Sequence, residues 1–133
     1  MFSHVTLGCS ELARACEFYD SVLTRLGLER RPVTSDGGPA SACWVPSGMS
    51  LPRFYVYVPF DGNPASVGNG TMVAFRASSP ELVDAVYKAA LAAGAKEEGA
   101  PGVRTHYGDG YYGAYFRDLD GNKIHVVYRG DVK

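Results

Sequence analysis

The chain has few of the features that announce a partner or a compartment. Its three cysteines, Cys9, Cys16 and Cys43, are odd in number and lack C-x-x-C spacing, so neither a disulfide framework nor a zinc ribbon is expected. They read as reduced, buried thiols. Lysine plus arginine (13) nearly balances aspartate plus glutamate (14), for a net charge of -1. With no basic block, nothing favours nucleic acid or an anionic membrane as partner. No apolar run is long enough to span a bilayer. The opening Met1-Phe2-Ser3-His4-Val5 enters a strand pattern directly, without a charged and then apolar leader. A cytoplasmic protein is the expectation. G-x-S-x-G, P-loop and H-E-x-x-H motifs are all missing.

What is present fits one domain of 133 residues with 16 glycines and eight prolines, hence many turns. Residues 2–8 alternate as a strand. Ser10 is expected to cap a helix with Glu11 in its first turn. Leu12, Cys16, Tyr19, Leu23 and Leu26 then form one apolar helical stripe, which Gly27 stops. Ala42–Val45 and Phe54–Val58 read as strands. Residues 61–70 are nearly all turn formers. The pattern then restarts: a strand at Met72–Arg76, an N-cap at Ser79-Pro80-Glu81, a stripe of Leu82, Val86, Ala90 and Ala93, and a stop at Gly94. His4–Leu7 aligns with Met72–Phe75, and Leu26-Gly27-Leu28 with Ala93-Gly94-Ala95 after a one-residue slip. This predicts module one at 1–60, a linker at 61–70 and module two at 71–133.

Each strand has one apolar face: Val5/Leu7, Phe54/Val56/Val58, Val73/Phe75, Ala114/Phe116 and Ile124/Val126. The opposite faces are mixed: His4/Thr6, Tyr55/Tyr57, Met72/Ala74/Arg76, Tyr115/Arg117 and His125/Val127. A mixed face of this kind is either solvated or the wall of a polar concavity that holds a ligand.

Arg104–Tyr128 carries His106, His125 and a run of tyrosines. Gly108–Gly113 matches G-x-G-x-x-G, but a strand follows where a dinucleotide fold needs a helix. Asp118–Asn122 reads as a hairpin turn rather than a calcium loop, since Lys123 and Arg129 fall where glycine and glutamate are required. His106, Tyr107, Tyr111 and Tyr112 form a polar aromatic loop, either a substrate-contacting lid or an interface.

The segments His4–Leu28 and Gly99–Val127, above all the Asp118–Lys123 turn and the strand after it, resemble the vicinal oxygen chelate superfamily of glyoxalases, bleomycin-resistance proteins and extradiol dioxygenases. The resemblance implies an α+β fold of two βαβββ modules whose curled mixed sheets surround a cleft, often paired as a homodimer. It implies metal positions at His4, Met72, His125 and a residue near Tyr55–Tyr57. His4 and His125 would ligate a divalent ion (Zn, Ni, Mn or Fe). Met72 is a soft donor where histidine is usual, and no carboxylate stands at the fourth position.

Two functions follow from this reading. In the first, a metal-dependent, glyoxalase-like lyase or isomerase acts on a small oxygenated substrate. His106 and Tyr112 move protons there, and Tyr55, Tyr57, Met72, Tyr107 and Arg117 contact the substrate. In the second, a metal-free protein sequesters a small aromatic molecule in the same cleft.

Overall fold

The computed structural model describes residues 1–132. Module one runs β1 (His4–Gly8), α1 (Leu12–Leu23), a 3-10 turn (Thr24–Leu26), β2 (Leu28–Arg31), β3 (Ser41–Pro46) and β4 (Arg53–Tyr57). Module two runs β5 (Val73–Arg76), α2 (Pro80–Ala92), β6 (Lys96–Val103), a 3-10 turn (Thr105–Tyr107), β7 (Tyr111–Arg117) and β8 (Lys123–Arg129). Each module builds one four-stranded mixed sheet, ordered β1-β4-β3-β2 in sheet one and β5-β8-β7-β6 in sheet two. The first and last strands of each module pair in parallel, and the remaining neighbours are antiparallel. The architecture is α+β, two βαβββ modules, with neither sheet closed into a barrel. No helix of the described residues is long and apolar enough to cross a membrane.

The repeat holds residue by residue. Cys9 N–H donates to Tyr57 O and Ala77 N–H donates to Val127 O, both at 2.8 Å. Val5 pairs with Phe54 as Val73 pairs with Ile124. Tyr55 therefore occupies in sheet one the place of His125 in sheet two, and His4 the place of Met72. The modules also end their helices alike: Gly27 and Gly94 take the left-handed conformation, φ 84° and 105°, that glycine adopts without steric cost.

Apolar alternation sorts the strand faces as the sequence predicts. Leu7, Phe54, Val56, Ala114, Phe116, Ile124 and Val126 join the buried core with both helices. The α1 stripe is broader than expected, because Ala15, Phe18 and Val22 are also buried. Rings carry this core across the modules: Phe18 lies 6.2 Å from Phe116 and Phe54 lies 5.2 Å from Phe75. Trp44 is fully buried beside Tyr19 and Phe54, and its Nε1–H donates to Asp20.

The Asp118–Asn122 turn pins module two to module one. Buried Asp118 accepts from the backbone N–H of Asp120 and Asn122, from the Asn122 amide and from the Tyr19 hydroxyl of α1. Asn122 Nδ2 donates to Gly8 O, and Ser10 N–H donates to Asp120 Oδ1. Burial and the neighbouring Asp118 hold the Tyr19 phenol neutral, well above its ordinary pKa.

One local expectation is corrected. Ser10 does not cap α1; the N-cap is Glu11, without a side-chain cap bond. Ser10 Oγ instead accepts from Ala65 N–H of the linker, so its side chain is spent fastening the linker to the end of β1. In module two Ser79, at the N-cap place that Glu11 holds in module one, does cap α2, accepting from Leu82 N–H at 3.1 Å behind a first-turn proline.

Candidate functional site

The mixed faces of the two sheets carry most of the residues singled out by sequence. On sheet one, His4 is exposed and its ring meets Tyr55 edge-on at 5.5 Å; Tyr55 in turn lies 5.6 Å from Tyr57. Arg53 donates to the Tyr55 hydroxyl, which orients that ring. Where β1 and β4 end, the linker folds back and leaves a cleft of about 510 Å³. His4, Thr6 and Tyr57 form its polar wall, and Pro59 and Phe60 just after β4, with Ala65 of the linker, complete its lining. Phe60 is 89% exposed, an unusual state for a large apolar ring.

Sheet two is built differently. His125 is 1% exposed, with Tyr115 stacked at 4.0 Å and 9° and Tyr111 near-parallel at 5.8 Å and 18°. Its Nδ1 lies 2.9 Å from Ala114 O, a group that only accepts, so Nδ1 carries the proton. In the neutral ring Nε2 is then the acceptor, and the Tyr111 hydroxyl donates to it at 2.7 Å. Burial lowers the His125 pKa below its ordinary 6.5 and keeps the ring neutral. Gly113 makes the stack feasible, since a Cβ there would fall 2.5 Å from His125 Cε1. The stack extends outward through Tyr107, 5.1 Å from Tyr111, to exposed His106.

The structure separates some residues that the sequence suggested together. β7 starts at Tyr111, so Tyr111 and Tyr112 point to opposite faces. Tyr112 turns to the helix side and donates to Asp84 Oδ1 of α2 at 2.7 Å. That bond raises its pKa. Tyr111, not Tyr112, stands beside His125. Extending the Tyr115/Arg117 alternation back by four residues, through Gly113, would have found it. His4 and His125 keep their hydrogen bonds and ring contacts on their own sheets. Met72, 43% exposed, and Arg117 line a second cleft with Lys123. Arg117 bonds Gly121 O and Glu98.

A divalent ion is poorly served by this donor set. The four repeat-related positions hold His4, Met72, Tyr55 and His125: two imidazoles, a thioether and a phenol, with no carboxylate. Among the described residues no three or more of His, Cys, Asp and Glu cluster. The outward nitrogen of His125 already accepts a hydrogen bond. Such a set does not fit zinc, nickel, manganese or iron(II), which favour imidazole with carboxylate or thiolate. The thiols offer no substitute, for burial pushes Cys9 up to about 11 and also raises Cys43.

Two βαβββ modules sharing one core, with polar outer sheet faces, define a paired-module class of protein. Residues 1–126 match the model of the glyoxalase/bleomycin resistance protein/dioxygenase superfamily, and the chain belongs to that superfamily. A crystal structure of a glyoxalase/bleomycin resistance protein from Albidiferax ferrireducens T118 is 37% identical, with TM-score 0.83, covering 97% of this chain and 98% of that one. A glyoxalase-related enzyme from Fulvimarina pelagi shares the fold at 17% identity and TM-score 0.71, over 100% of this chain and 95% of that one. A glyoxylase/bleomycin resistance protein/dioxygenase domain from Frankia sp. EAN1pec does so at 18% and 0.74, over 96% of each chain. Among curated proteins, none matches this chain.

Proposed function

We propose that this protein binds a small aromatic or amphiphilic molecule without a metal, in the cleft between the outer face of sheet one and the linker. The cleft itself carries the reading. At about 510 Å³ it has the volume of a small-molecule site, and it combines an apolar wall with a few convergent polar groups. His4 and the Tyr57 hydroxyl supply hydrogen bonds. Phe60 supplies a ring that loses its exposed surface when a ligand lies against it.

The test is equilibrium binding of a planar aromatic panel to protein purified without a polyhistidine tag, with Phe60→Ser and His4→Ala as variants. Burying a phenyl ring is worth about 1.5–3 kcal/mol, so Phe60→Ser should weaken the best ligand by about tenfold or more. Affinities unchanged in both variants contradict the reading. Trp44 is a poor reporter, being fully buried on the helix side of its strand, so calorimetry or amide chemical shifts should be read instead.

One observation favours a second reading, a metal-dependent lyase or isomerase acting on a small oxygenated substrate. His125 gives its Nδ1–H to a backbone carbonyl and directs Nε2 outward, as metal-ligating histidines do. Tyr111 would have to release that nitrogen. Stoichiometric metal that disappears in His125→Ala would support this reading over the first.

A further inference from the structure

On the outer face of sheet two, positive charges outnumber their partners. Arg117 and Lys123 stand directly opposite each other on β7 and β8. A like-charge cross-strand pair costs stability. Lys123 Nζ lies 5.1 Å from the centre of the Tyr115 ring, and the Arg104 guanidinium lies 5.8 Å from the same ring. Glu98 pairs with Arg117 at 3.1 Å. Among the described residues, neither Lys123 nor Arg104 has a carboxylate within salt-bridge distance. Two cations thus flank one ring, and a third, Arg117, stands opposite Lys123 with the single paired carboxylate, in a protein whose net charge is -1.

The backbone accommodates this arrangement. A Cβ at Gly99 would meet the Tyr115 ring at 3.1 Å, and one at Gly102 would meet Arg104 Nη1 at 2.9 Å. Lys123 and Arg117 also line, with Thr71 and Met72, a cleft of about 660 Å³ beside the end of the linker. An anion placed there would relieve the repulsion between the two strands. Lys123 would contribute ammonium donors free of any carboxylate, and Arg117 the guanidinium donors left over from Glu98 and Gly121. Met72, at 43% exposure, offers an apolar surface beside the charges.

We propose that this second cleft binds the oxyanion group, carboxylate or phosphate, of a small molecule, held by Lys123 and Arg117 with Arg104 reinforcing the field. The site lies on the other module from the His4–Phe60 cleft and stands independently of it.

The test titrates 15N-labelled protein with benzoate, with benzamide as its neutral counterpart, and with inorganic phosphate, following the amides of 71–72 and 117–123. Charge-assisted hydrogen bonds should make benzoate bind about tenfold more tightly than benzamide, with affinity falling as salt is added. Lys123→Gln should remove most of that preference, Arg104→Gln part of it, and Phe60→Ser none. Phosphate shifting these amides more strongly than benzoate assigns the site to phosphate, and the reverse assigns it to carboxylate. Lys123→Gln also removes the repulsion from Arg117, so its urea midpoint should equal or exceed that of the parent, which separates lost binding from lost folding. Equal binding of benzoate and benzamide, no shifts at these amides with either anion, or an undiminished preference in Lys123→Gln overturns the proposal.

Discussion

Asp118 concentrates the polar contacts that join the modules. It is 6% exposed and accepts four hydrogen bonds, one of them from Tyr19 of the other module. Asp118→Ala would strand the buried Tyr19 hydroxyl without its partner and leave the Asn122 amide with Gly8 O alone. The loss should be about 3 kcal/mol, read as a lower urea midpoint. Tyr19→Phe removes only one of the four donors and should cost about 1 kcal/mol. His125 makes a different kind of prediction. Its native pKa lies below 6.5 while the unfolded chain titrates near 6.5. Above that value both states are neutral and the stability is fully present. As pH falls through the window beneath 6.5, the unfolded state takes up a proton that the native state refuses, and stability declines. Urea denaturation of the wild type should therefore lose ground to His125→Gln as pH is lowered beneath 6.5. The carboxylates Asp61, Glu98 and Asp131 act at more acidic pH, since hydrogen bonds from Asn63, Arg117 and Arg129 lower them from ordinary values of 3.8–4.5. Identical slopes for wild type and His125→Gln would mean that the ring is not held neutral.

At the scale of elements, the two helix starts make a matched pair for comparison. Ser79→Ala should cost about 1 kcal/mol, because it deletes the only side-chain cap of α2. Ser10→Ala should leave α1 formed and instead loosen the linker at Ala65, visible as faster amide exchange there. Gly113→Ala drives a Cβ into His125 and should cost about 2 kcal/mol while shifting the His125 ring protons. These elements also show what the sequence could disclose. Strand alternation and helical stripes specified both sheets' faces, because burial on one side forces a period that the chain cannot disguise. The second helix start was legible from Ser79-Pro80. The first was not, since the partner competing for Ser10, Ala65, is 55 residues away. The candidate site was partly legible. His125 and its neighbour Tyr115 fell on the mixed face by alternation alone. That Tyr111 takes the Nε2 bond, and that Tyr112 turns inward to Asp84, depended on where β7 begins, and β7 starts two residues earlier than the local glycines suggest.

At the scale of the molecule, the shared core argues for one cooperative unit. Phe18–Phe116 and Phe54–Phe75 contacts, together with the Asp118 bonds, leave neither module a complete core of its own. Denaturation followed by Trp44 fluorescence, which reports module one, should coincide with far-UV circular dichroism, which reports both. Two separated transitions would mean that the modules fold independently. The repeat also governs the functional reading. Two halves with one topology carry different chemistry at equivalent places: Tyr55 answers to His125, and His4 to Met72. The superfamily's frame is intact, while the four repeat-related positions that the sequence resemblance marks for a metal hold a donor set better suited to stacking and hydrogen bonding. The most direct test is ligand binding before and after treatment of untagged protein with a strong chelator, with bound metal quantified in parallel. Binding in the His4–Phe60 cleft should be unchanged by the chelator and should persist in His125→Ala. Stoichiometric metal whose removal abolishes binding, and which His125→Ala fails to retain, would contradict it.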